Sequence, residues 1–137
     1  CDNVPVYLFT NAPLIWCKTV LSASGLDKYI TDEHIISCDH DVMLYHEDDG
    51  FKPADVVYQT VQQYINNVHH LEDPLYIFVE DSFKNLVPII GDESWFPVYF
   101  NQNVVWNAPN NVAVIHNTKE CKMLIDKILH RKRVDDE

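Results

Sequence analysis

Four short groups of residues in this chain have the types that phosphate chemistry needs. Thr10 and Asn11 offer a hydroxyl and a backbone N–H to phosphate oxygens, and Lys52 offers a charge to neutralise them. Glu80 and Asp81 form a carboxylate pair, the oxygen donor set that suits magnesium. Asp39, His40 and Asp41 place two further acids at DxD spacing. Hydrolysis of a phosphate monoester needs these parts plus a nucleophile. Each group also has a plain structural use. Thr10 and Asn11 suit a helix cap, Lys52 alone reads as a surface lysine, Glu80 and Asp81 favour the positive end of a following helix, and residues 39–41 read as a solvated loop.

The elements that would position these groups alternate between two periodicities. Residues 4–10 are apolar, β-branched and aromatic without alternation, which predicts a strand buried on both faces. Asn11 as cap, Pro13 in the first turn and Leu14, Cys17, Val20 and Leu21 at helical spacing predict a helix that Gly25 closes. Residues 35–38 predict a second strand, ending in the acidic run, and polar residues 43–51 a loop. Pro53 opens a second helix with Val56, Val57, Thr60, Val61, Tyr64, Ile65 and Val68 as its inward stripe. A third buried strand over 75–79 leads into a short helix over 83–90. Residues 98–100 and 112–115 predict further strands, the loop between them holding Trp106 and Pro109. Thr118 caps a last helix, with Met123, Leu124, Ile128 and Leu129 on its buried side.

This alternation predicts an α/β domain with a Rossmann-like parallel sheet and helices on both faces. In such sheets ligands bind beyond the carboxyl ends of the strands. Thr10, Asp39 and Glu80 all stand there.

The 137 residues, 47% hydrophobic and 23% charged, suit one core domain over 1–130 followed by a charged tail over 131–137. The four cysteines, Cys1, Cys17, Cys38 and Cys121, are widely spread with no CxxC pair, which indicates free thiols and a reducing, cytoplasmic setting. Cys17 falls on the inward helical face. No stretch approaches the ~18 apolar residues of a membrane span. A net charge of −11 opposes contact with nucleic acid and favours a divalent cation. The histidines form no HExxH helix, and Cys38 and His40 lack partners at zinc spacing. Trp16, Trp95 and Trp106 read as core or loop anchors.

Three segments taken together carry a resemblance: VYLFTN, the KP of Lys52 and Pro53, and YIFVEDSFKN. In this order they resemble the second, third and fourth motifs of the haloacid dehalogenase superfamily of phosphohydrolases. FTNAPLIWCKTVLSASGLDKYI is similar to the branch that holds pyrimidine nucleotidases and phosphoglycolate phosphatases, and the match spans most of residues 4–100. The resemblance implies magnesium-dependent hydrolysis of a small phosphorylated substrate. It assigns Thr10 and the Asn11 backbone to the phosphoryl group, Lys52 to its negative charge and that of the nucleophile, and Glu80 and Asp81 to the metal. The family usually shows two aspartates where Glu80 and Asp81 stand.

The family's first motif, which carries its nucleophilic and acid–base aspartates, has no counterpart before residue 4. In the resembling fold that strand is central, between the strand ending at Thr10 and the one ending at Val79. Losing it forfeits ladders on two sides, a cost comparable with a domain's whole stability of about 5 to 15 kcal/mol. The segment is expected from a longer parent or a second chain; otherwise the flanking strands pair directly or residues 112–115 fill the slot. Without it the chain is expected to be inactive. Two alternatives stand beside this reading. One is a catalytically inactive phosphatase-like binding or scaffold module. The other is a circularly permuted phosphatase with Asp39 as nucleophile and Asp41 as general acid–base.

Overall fold

A computed structural model describes residues 4–43, 55–103 and 112–135. The architecture is mixed α/β, with parallel strands in two small sheets. The chain divides into two units, Cys1–Glu72 and Asp73–Glu137.

In the first unit, strand β1 (Leu8–Phe9) pairs in parallel with β2 (Ile35–Ile36), Leu8 opposite Ile35 and Phe9 opposite Ile36. The Thr10 N–H extends the ladder to the Ile36 carbonyl at 3.1 Å. Helix α1 (Leu14–Ser24) and helix α2 (Asp55–His69) accompany them. Gly25 ends α1 at φ 74°, a left-handed conformation that glycine adopts without penalty. Its N–H reaches the Ser22 carbonyl and the Leu26 N–H reaches that of Leu21, which closes the helix as the sequence predicts. Cys17, Leu21 and Ile35 form a buried cluster packed by Leu8, Ala12, Leu14 and Ile30.

Burial departs from the sequence pattern in instructive places. Residues 4–10 are not a strand buried on both faces: Val4 and Val6 are exposed and the two β1 residues are half-buried. A ladder of two residues per strand cannot enclose a strand, whereas Ile35 and Ile36 on β2 are fully buried. On α1, Val20 and Trp16 point outward, so Trp16 is no core anchor. On α2, the buried side is Val57, Tyr58, Val61 and Ile65, while Val56 and Val68 are exposed. The stripe is narrower than its apolar letters, and Tyr58 joins it by meeting Phe9 edge to face at 5.7 Å. At the start of β1, the Tyr7 ring stacks on His34 at 4.4 Å and its hydroxyl bonds His69 Nε2 at 2.6 Å. His34 Nδ1–H donates to the Val6 carbonyl at 2.8 Å. Burial, then the nearby Tyr64, pushes the Tyr7 phenol above its ordinary range.

In the second unit, β3 (Tyr76–Glu80), β4 (Trp95–Phe100) and β5 (Ala113–Ile115) form a parallel sheet in the order β3-β4-β5. β5 pairs with β4, Val98 opposite Ala113, so residues 112–115 take that position rather than a slot beside β3. β4 begins three residues before the predicted strand. Its Pro97 lacks a donor, and it precedes the β5 ladder, which begins at Val98. Trp95 is buried against Tyr76 and Phe78. The short helix expected over 83–90 is two 3₁₀ turns, Phe83–Asn85 and Val87–Ile89, with Pro88 inside the second. Proline removes an N–H and disfavours an α-helical interior. Leu86 and Ile89 drop from these turns into the core.

Helix α3 (Thr118–Asp135) is capped by Asn117 rather than Thr118. The Asn117 Oδ1 accepts the Glu120 N–H at 2.9 Å, and the Glu120 Oε2 accepts the His116 N–H at 2.6 Å. Together they make a variant of the capping box. Met123 is exposed and the half-buried side is Leu124, Ile125, Ile128 and Leu129. The helix runs on through residues 131–135, the start of the charged segment. Among the described residues, no helix is long and apolar enough to cross a membrane.

Candidate functional site

Thr10 and Asn11 lie on the turn between β1 and α1, where the chain leaves the carboxyl end of the ladder. The Ala12 N–H donates to Thr10 Oγ1 at 3.1 Å, which curls the turn and leaves the hydroxyl hydrogen as the group Thr10 can offer a ligand. Asn11 is exposed at the bend. It does not cap α1. Pro13 stands at the cap position with no side-chain hydrogen bond, and the carboxylate that serves the first turn comes from the exit of β2.

That carboxylate is Asp39. Its Oδ1 accepts the Leu14 N–H at 2.9 Å and the Ser37 hydroxyl at 2.6 Å. The Cys38 N–H donates to the Ala12 carbonyl at 3.3 Å, so two links tie the exit of β2 to the turn after β1. The Ser37 hydrogen bond, and after it the Leu14 N–H, holds the Asp39 carboxyl below the usual carboxylate range. The Asp39 Oδ1 accepts from two donors, and Asp41 is exposed on the following turn.

The Cys17 thiol lies 3.9 Å from the same Ala12 carbonyl and is buried. Burial, then Asp39, pushes the Cys17 thiol up, and the same two causes in the same order raise Cys38. Both thiols are therefore poor nucleophiles at neutral pH. Cys17, Cys38 and Cys121 are free thiols.

A shallow hollow of about 820 Å³ follows α1 past Leu14, Lys18 and Asp39. A second, of about 580 Å³, is lined by Asp27, Asp32 and Glu33 together with Lys18, which pairs with Asp32 at 3.0 Å. Three acids there repel an anion. Lys52, the predicted phosphate-neutralising residue, lies outside the described residues, as do Pro53 and Trp106.

In the second unit, Glu80 is the last residue of β3 and half-buried, and Asp81 follows it exposed. The pair is thus not enclosed as a buried strand end would be. Glu80 Oε1 accepts the Asn85 Nδ2–H at 2.6 Å, from the buried Asn85 on the 3₁₀ turn five residues on. Asn85 is the last residue of the YIFVEDSFKN segment. Its signal in the sequence is its placement one short turn beyond an acidic strand end.

Among the described residues, no three histidine, cysteine or carboxylate side chains gather as a metal-holding group. Two adjacent carboxylates nevertheless have the chemistry magnesium accepts, since that ion commonly takes one or two carboxylates and completes its shell with water and phosphate. Comparison of the chain with protein-family models, with curated proteins and with solved structures finds no match.

Proposed function

We propose that these residues form the phosphate- and metal-holding part of a phosphohydrolase core of the haloacid dehalogenase type, with a Rossmann-like order of parallel strands. The observation that carries this reading is how the ladders group. β1 and β2 form one sheet and β3, β4 and β5 another, all pairings parallel. The strand leading to Thr10 pairs in one sheet and the strand ending at Glu80 in the other; the resembling fold carries its nucleophile strand between the corresponding two.

On this reading the Thr10 hydroxyl and the Asn11 N–H bind phosphoryl oxygens, and Lys52 neutralises their charge. Glu80 and Asp81 hold magnesium, which supplies charge stabilisation as the phosphoryl group transfers. The nucleophilic aspartate of such a reaction is not among the residues this reading assigns. A small phosphate monoester is the substrate class.

A specific observation favours a second reading, a phosphatase-like module that binds without turnover. Glu80 stands where the family usually has aspartate, and Asn85 already holds its carboxylate.

The test is an assay of the 137 residues with p-nitrophenyl phosphate and magnesium, paired with titrations of inorganic phosphate and of the metal. The expected result is no hydrolysis above buffer, phosphate binding lost in Thr10→Val, and magnesium binding weakened in Asp81→Asn. Robust turnover abolished by Asp39→Asn would replace this reading with the permuted one. Wild-type-like phosphate binding in Thr10→Val would remove Thr10 from the site.

A further inference from the structure

We propose that Asp39 is a positioning residue for the phosphate-holding turn, clamping the start of α1 to the exit of β2 so that Thr10 and Asn11 keep one fixed geometry. The inference rests on the phosphate role proposed for that turn.

The turn from residue 10 to residue 13 is held against β2. Pro13 lacks an N–H, Asn11 is exposed, and α1 begins without a side-chain cap from its own strand connection. Four of the described hydrogen bonds hold it to its neighbours. Thr10 N–H to the Ile36 carbonyl, at 3.1 Å, and Cys38 N–H to the Ala12 carbonyl, at 3.3 Å, hold its backbone against β2. Ala12 N–H to Thr10 Oγ1, at 3.1 Å, sets the threonine rotamer. Asp39 supplies the fourth, to the Leu14 N–H, and is itself fixed by the Ser37 hydroxyl, which is buried. Among the described hydrogen bonds, the Asp39 bond ties helix α1 itself, rather than the turn alone, to the exit of β2. A bond to a charged acceptor is also stronger than one between neutral groups. An oxyanion held by a hydroxyl and a backbone N–H depends on both donors keeping their aim, so a small misplacement costs affinity steeply.

The experiment titrates inorganic phosphate into the 137-residue chain and follows the amide resonances of Asn11 and Ala12. It compares wild type with Thr10→Val, Asp39→Ala, Asp39→Asn and Ser37→Ala, and checks the fold of each by circular dichroism. Asp39→Ala is expected to weaken phosphate about tenfold, as loss of a charge-assisted hydrogen bond would. Asp39→Asn keeps an acceptor oxygen and is expected to recover affinity to within about threefold of wild type. Should Asp39→Ala unfold, Ser37→Ala decides, with an expected loss of about threefold. Unchanged affinity in Asp39→Ala, or in Ser37→Ala where that variant decides, while Thr10→Val loses phosphate overturns the positioning role alone. Asp39→Asn as weak as Asp39→Ala would make charge the cause and overturn it equally. No phosphate binding by wild type overturns the site itself and, with it, the proposal.

Discussion

Asp39 keeps two donors on one oxygen although it faces solvent, and its depressed pKa gives stability a defined pH dependence. The stabilisation is complete above the ordinary value of 3.8 and is lost as pH falls through the lower folded-state value. Urea midpoints of wild type and Asp39→Asn should therefore converge as pH drops from about 5 towards 3. Parallel curves across that range would show that the carboxylate adds nothing. Asn117→Ala should cost about 1 kcal/mol, because a helix cap is lost, while Thr118→Ala should be close to neutral. Caps are where sequence reading strayed at this scale. Thr118 and Asn11 both have capping side chains, but the helices use the residue before the one and an acid 28 positions after the other. The Ser37-x-Asp39 spacing was visible, yet nothing local reveals that its free lone pair meets Leu14.

At the scale of elements, the contrast between inward and outward apolar residues sets the mutational response. Leu86 is fully buried beside the β3-β4-β5 sheet, so Leu86→Ala should cost about 2 to 5 kcal/mol by transfer loss and cavity formation. Trp16→Ala, on the exposed side of α1, should stay within about 0.5 kcal/mol despite removing more apolar surface. Chemical denaturation of both variants checks this pair, and equal losses would contradict the burial described here. Order and type of elements were largely legible, since α2 and β3 follow directly from their spacing and β-branched content. The Phe83-to-Ile89 stretch was not, because Pro88 splits a helical apolar pattern into two tight turns. The shortness of β1 was equally hidden: continuous apolar letters describe what a strand could bury, while the ladder available decides what it does bury. Lys52 and its proline could be assigned only by resemblance.

For the molecule as a whole, a net charge of −11 is a self-repulsion that folding concentrates. Raising ionic strength from 0.01 to 0.15 M shortens the screening length from about 30 to about 8 Å. The melting temperature at pH 7 should accordingly rise by about 3 °C, as scanning calorimetry can measure. A fall would mean that attractive ion pairs outweigh the repulsion. The same charge excess would favour a divalent cation over an anion at the proposed Glu80 and Asp81 site. Composition made this balance readable before any coordinates, whereas the division of the ladders into two sheets depends on which strands meet and has no signature in the letters. The two tryptophans in opposite settings also make the chain its own optical reporter. With Trp106 replaced by phenylalanine, Trp16 should emit at long wavelength and be quenched readily by neutral acrylamide, while Trp95, walled in by Tyr76 and Phe78, should emit further to the blue and resist the quencher. One emitter then sits in each half of the chain, so a single fluorescence titration can tell whether the halves melt together or in turn.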